Sequence, residues 1–179
     1  RFKACLLIAL GVVPAVTALA AKVADIRATK HNLSATAVSR TTGTAPDRNV
    51  VATSESQVCV FCHTPHGATE GPVPLWNRRL SNQTYTPYTS SSLDAEVLLG
   101  ATIDQPGGSS KLCLSCHDGS IAIGSVNVLG GQGGGPGAVS ISMSGTGPSG
   151  EMPGGAGETT GFTRKLGVDL RNDHPISIT

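Results

Sequence analysis

The sequence predicts a chain that is mostly coil, with a few short helices and little β-structure, organised around something other than its own side chains. Three observations predict it. Only 3% of the 179 residues are aromatic, and such side chains normally supply much of a core's buried area. Glycine (23) and proline (11) are plentiful, and both weaken regular helices and strands. Two Cys-x-x-Cys-His pentads, Cys59-Val60-Phe61-Cys62-His63 and Cys113-Leu114-Ser115-Cys116-His117, stand where a covalently held group could take the place of a core.

Residues 1–20 read as an export signal. Arg1 and Lys3 precede an apolar run from Ala4 through Val13, Pro14 breaks the run, and Ala18-Leu19-Ala20 supplies the small-x-small exit. The run approaches membrane-spanning length, but Pro14 and the small-residue exit favour cleavage over retention as an anchor. Cys5 leaves with the segment. Of 13 Lys and Arg residues, Arg1 and Lys3 are removed, so 11 remain against 12 Asp and Glu, a net charge of −1. That is no footprint for nucleic acid, which needs a clustered positive surface. No second spanning candidate follows. The mature chain is expected to be exported, to the periplasm or outside the cell, with no membrane span.

Residues 21–179 are expected to form one domain. Its first part, Ala21 to Val58, is rich in Ser, Thr and Ala and holds no helical or strand period. One short helix is expected from Leu93 to Leu99, with Ser92 as N-cap and Gly100 beyond its end. A second should start at Ser109 or Ser110 and run through the second pentad. From Gly124 to Gly161, 14 of 38 residues are glycine, punctuated by Pro136, Pro148 and Pro153. This stretch, 124–161, reads as a flexible exposed loop. The alternative is backbone laid closely over a bound group, where glycine permits approach.

The pentads carry the chemistry. Two thiols at this spacing add across the two vinyl groups of a haem, and the histidine that follows presents its imidazole to the iron. Cys59, Cys62, Cys113 and Cys116 are therefore expected to be thioether anchors, and His63 and His117 proximal iron ligands. With 5 histidines in 179 residues, one following a given Cys-x-x-Cys by chance is about 1 in 36, and both about 1 in 1,000. A four-cysteine zinc ribbon wants its pairs about 15–20 residues apart, whereas 50 residues separate Cys62 from Cys113. Thioredoxin-like chemistry needs one such pair in an α/β pattern, which is absent, and two disulfides would leave both histidines unexplained. The predicted fold is thus coil and short helices wrapped around covalently bound haem c.

Three histidines remain: His31, His66 and His174. Methionine, the other common sixth ligand, is scarce, since Met143 and Met152 both lie in the glycine-rich stretch. Lys30-His31-Asn32-Leu33-Ser34 and Asp173-His174-Pro175-Ile176-Ser177 share one pattern: charge, His, any residue, aliphatic, Ser. This suggests a duplicated distal-ligand segment. His66 follows His63 by Thr64-Pro65, too stiff a link to reach the far face of the same haem but suited to a neighbouring one. All three are distal iron candidates, and they outnumber the two haems. That arithmetic predicts further attachment motifs in a longer protein, or a ligand shared between copies. His31 precedes Cys59 by 28 residues, so a third motif is expected about 25–35 residues after His174, beyond Thr179.

Four strings, Cys59 to Gly67 (CVFCHTPHG), Pro74-Leu75-Trp76-Asn77-Arg78, Ser110 to Gly119 (SKLCLSCHDG) and Asp169 to Ser177 (DLRNDHPIS), resemble the doubled-CXXCH multihaem cytochromes. Within that group the chain is most similar to tetrahaem proteins that polymerise as extracellular cytochrome nanowires. The resemblance covers about residues 28–120 and 164–179. It implies that His31, His66 and His174 match distal ligands, and that two more attachment motifs follow. It also implies partners that are redox proteins or extracellular electron acceptors, and copies that join into a homo-oligomer or filament. Swapping His31 into a neighbouring copy would link copies head to tail.

Electron transfer is the expected function. Iron held by two histidines has no open position for substrate, so no enzyme activity is expected. A multihaem reductase or a gas sensor would need a vacant or labile site, and both pentads end in His. A soluble periplasmic shuttle is the alternative to the filament.

Overall fold

A computed structural model describes residues 25–37, 50–71, 73–90, 103–154 and 164–177. The export segment 1–20, the helix expected over 93–99 and residues 155–161 of the glycine-rich stretch lie outside them. Among the described residues no helix is long and apolar enough to cross a membrane.

Helical structure is sparse. Among the described residues two 3-10 turns, Ile26–Ala28 and Cys59–Phe61, precede one α-helix, α1 (Gly108–His117). That helix carries the whole second pentad, as the sequence predicts, and starts at Gly108 rather than Ser109 or Ser110. It turns Leu112, Leu114 and Ser115 inward. Its last turn closes with the Asp118 N–H donating to the Leu114 carbonyl. Gly119, at φ +75°, then takes the left-handed conformation that ends many helices and suits a residue without a Cβ.

Among the described residues the β-structure is six strands of two residues each, in three antiparallel pairs. β1 (Val51–Ala52) pairs β6 (Met143–Ser144), β2 (Ser125–Val126) pairs β5 (Val139–Ser140), and β3 (Val128–Leu129) pairs β4 (Gln132–Gly133). Five of the six strands fall in the stretch read as a flexible loop, and over 124–154 that reading does not hold. The β3–β4 hairpin sits inside the β2–β5 pair. Its two-residue loop is Gly130-Gly131, both at positive φ, as a type I′ turn requires. Gly124 has a different reason: a Cβ there would stand 2.0 Å from the Ile141 carbonyl oxygen. Glycine here permits tight backbone approach within the protein itself, and composition alone does not separate that from disorder.

The core is three small apolar clusters. One gathers Ala52, Phe61, Val126 and Ile141, a second Val50, Ile123 and Met152, and a third Tyr85, Leu114 and Leu170. Leu33 touches the first two. The Leu33 carbonyl accepts from the Ala52 N–H at 2.7 Å, and the Ala35 N–H donates to the Glu55 carbonyl at 2.7 Å. These contacts lay residues 31–35 against β1 and so fix the position of His31. At the other end, the Leu166 N–H donates to the His117 carbonyl at 2.7 Å, and Val168 and Leu170 bond both sides of Thr86. The segment 164–170 is thereby held beside the end of α1.

Tyr85 links that segment to α1 electrostatically. Its buried hydroxyl donates to Asp118 Oδ2 at 2.6 Å. Burial, and then the bond to the Asp118 carboxylate, push the phenol up to about 12 from 10. Folding therefore favours the protonated phenol, and this stability is full below pH 10 and lost as pH rises to about 12. Alkaline unfolding followed by circular dichroism is expected to show that loss. Tyr85→Phe should be less stable by about 1 kcal/mol near neutral pH and should lack the extra decline across that window.

Candidate haem-attachment site

The second pentad has the fuller surroundings. Two imidazoles bound trans to one metal ion through bonds of about 2 Å have ring centroids about 6.3 Å apart. The His31 and His117 centroids lie 6.4 Å apart, with ring planes at 75°. His117 Nδ1 is 2.6 Å from the Arg164 carbonyl oxygen. A carbonyl oxygen only accepts, so Nδ1 carries the proton and Nε2 keeps its lone pair. An outer hydrogen bond of this kind orients a metal-binding histidine and fixes its tautomer. Residues 86 positions apart are thus brought together, one on the segment pinned by Leu33 and one on the last turn of α1.

The first pentad is built differently. Cys59, Val60 and Phe61 form a single 3-10 turn, and the His63 N–H donates back to the Cys59 carbonyl at 2.8 Å. The His63 ring meets Trp76 edge to face, with centroids 6.2 Å apart and planes at 87°. A cavity of about 490 Å³ opens beside it, lined on one side by His63, Pro65 and His66 and on the other by the β3–β4 hairpin with Gly130, Gly131 and Gly134. A Cβ at any of those three glycines would meet nothing within 4 Å. This wall of bare backbone leaves room for a flat group over the first pentad.

The two pentads are tied to each other through Asn77 and Arg78. The Asn77 N–H donates to the Cys62 carbonyl at 2.9 Å, and its side-chain amide donates to the carbonyls of Val60 and Val128. Arg78, fully buried, donates to the carbonyl of Ser115, which lies between the two cysteines of the second pentad. Both residues fall in the Pro74 to Arg78 string, but composition and spacing assign them no role. A buried Arg is rare enough that only its location reveals what it does.

The donor chemistry fits haem better than the alternatives. Each Cys-x-x-Cys pair stands as free thiols, with Cys59 and Cys113 exposed and Cys62 and Cys116 half-buried. Burial, reinforced by the charge of Cys116 and opposed by Arg78, pushes the Cys62 thiol up to about 11. A thiol so disposed makes a poor redox or metal-binding centre, whereas a thioether sulfur has no proton to lose. Among the described residues no three His, Cys, Asp or Glu side chains converge to hold a bare metal ion. Haem iron asks less of the protein, because the macrocycle supplies the equatorial donors and side chains supply the two axial ones.

His66 and His174 are both exposed. The two copies of the repeat share their anchoring but not their destination. Ile176 packs on the Tyr85–Leu114–Leu170 cluster as Leu33 packs on the other two, and Ser177 Oγ accepts from the Gly107 N–H at the start of α1. The His31 ring meets His117, while His174 faces solvent. No protein-family model matches the chain, and no curated protein matches it.

Proposed function

We propose that this chain is an electron carrier of the multihaem c-type class, with haem c attached through Cys59 and Cys62 and through Cys113 and Cys116. His63 and His117 are the proximal ligands, and His31 is the distal ligand of the second site. The observation that carries the reading is the meeting of His31 with His117 at the separation of two imidazoles on one iron. Haem, when bound, supplies a one-electron couple at its iron. The residues do the rest. His117, whose Nδ1 donates to the Arg164 carbonyl, would offer its Nε2 lone pair to the iron, and His31 would be the second histidine ligand, leaving no place for substrate or gas. Two nitrogen ligands, without thioether or thiolate, favour a low potential.

The distal candidates also bear on assembly. His31 meets His117 within one chain, an arrangement compatible with a filament subunit and with a soluble exported shuttle. A filament of tetrahaem subunits would be joined through His66 or His174, both exposed as His31 is. A difference spectrum of the ferrous protein with and without carbon monoxide tests the reading. An electron carrier of this type shows no change at the second site, and stoichiometric CO binding there by the unaltered protein would point to a reductase or a gas sensor.

A further inference from the structure

Arg78 is the largest fully buried side chain, and its environment is unusual for a cation. Its Nη1 donates to the carbonyls of Ile123 and Ser125, and its Nη2 to those of Ser115 and Ala122. Its Nε has no partner among the described residues. The ion pairs among the described residues are Arg27 with Asp25, Lys165 with Glu151 and Arg171 with Asp169, so no carboxylate there neutralises Arg78. Buried charges are normally paired, because removing an ion from water is expensive. Four carbonyl oxygens satisfy its hydrogen bonds, but as dipoles they leave a full positive charge in place.

That charge sits between the two pentads. The Ser115 carbonyl belongs to the second, and the N–H of the adjacent Asn77 donates to the Cys62 carbonyl of the first at 2.9 Å. Asn77 is bonded to the Val60 carbonyl as well, so the dipeptide cannot drift from either. In a low-dielectric interior such a charge is little screened by salt. Adding an electron to a nearby iron places negative charge in its field, which it stabilises.

We propose that Arg78 is a positioning residue that sets potential: a fixed buried charge, without a carboxylate partner among the described residues, bonded to one pentad and lying beside the other, that stabilises the reduced form at both. The inference rests on the haem reading above. It adds a residue that touches no iron ligand and a direction of effect that the ligand set alone does not give.

The test is spectroelectrochemical titration of the full exported chain with Arg78 replaced by Met, Gln or Lys. Met would leave the four carbonyls around Arg78 without a donor, so Arg78→Gln, which keeps an amide donor, is the primary variant, and Arg78→Met carries the same readout if it accumulates. Both should keep their haem and six-coordinate spectra while their midpoint potentials fall. At a fixed poise, the ratio of reduced to oxidised haem should drop about tenfold, as for one charge about a nanometre away at an effective dielectric constant near ~20. Arg78→Lys, which keeps the charge and loses the fork, should stay close to the unaltered protein. Unchanged potentials in the haem-loaded Met or Gln variant, or a Lys variant shifted as far as the neutral ones, would overturn the proposal. A wild-type chain that carries no covalent haem would instead overturn the reading beneath it.

Discussion

Replacing His31 by Ala is expected to turn one iron in the chain high-spin and CO-reactive while leaving haem content unchanged. The His31 ring stands across from His117, and the segment that carries it is held by Leu33 and by backbone bonds to residues 52 and 55. Truncating the side chain removes a ligand and leaves that anchoring in place. Attachment through Cys113 and Cys116 is independent of the sixth ligand, so the haem stays. CO binding at the second site should rise from none to one per chain, and added imidazole should reverse it. His174→Ala, whose ring is exposed, should leave the His117 iron low-spin. A His31→Ala protein that stays wholly low-spin would remove His31 from the ligand set.

In a protein limited to these 179 residues, replacing Cys113 and Cys116 by Ala is expected to halve the covalent haem, and adding Cys59→Ala and Cys62→Ala to abolish it. The readout is haem-dependent peroxidase stain on a denaturing gel, since thioethers survive detergent. Folding should not confound the first pair. The residues α1 buries are Leu112, Leu114 and Ser115, while Cys113 is exposed and Cys116 only half-buried. Alanine is also the best helix former, so the helix should persist as the haem is lost. Stain that survives in the fourfold variant would show that the pentads are not the attachment sites.

Much of this was legible in the sequence, and the gaps have physical causes. The pentads stand out because spacing and residue type repeat together in both copies. The helix through the second pentad was legible from the serines at its start, Ser109 and Ser110, and it begins slightly earlier, at Gly108. The glycine-rich stretch misled. Its backbone pairs at Val126–Val139 and Ala52–Met143 are long-range, and no local pattern distinguishes a glycine whose Cβ would collide with the Ile141 carbonyl from one in a loose linker. Arg78 was invisible for a related reason: a charged residue in a polar string reads as surface until four separate carbonyls are found around it. His31 was singled out as a ligand, but its partner could not be chosen, because the contact with His117 depends on the pairing of residues 33–35 with 52–55.

The central claim, that this chain carries electrons on two covalently held irons, is tested most directly by counting the electrons. A coulometric titration of the exported chain, with its cysteines first challenged by an alkylating reagent, should take up two electrons per chain, reversibly. Cys59, Cys62, Cys113 and Cys116 should resist alkylation, and the visible spectrum of the His31–His117 site should stay low-spin in both states. A chain whose four cysteines alkylate freely, and whose electron uptake then vanishes, would be a thiol protein, and the account would be wrong.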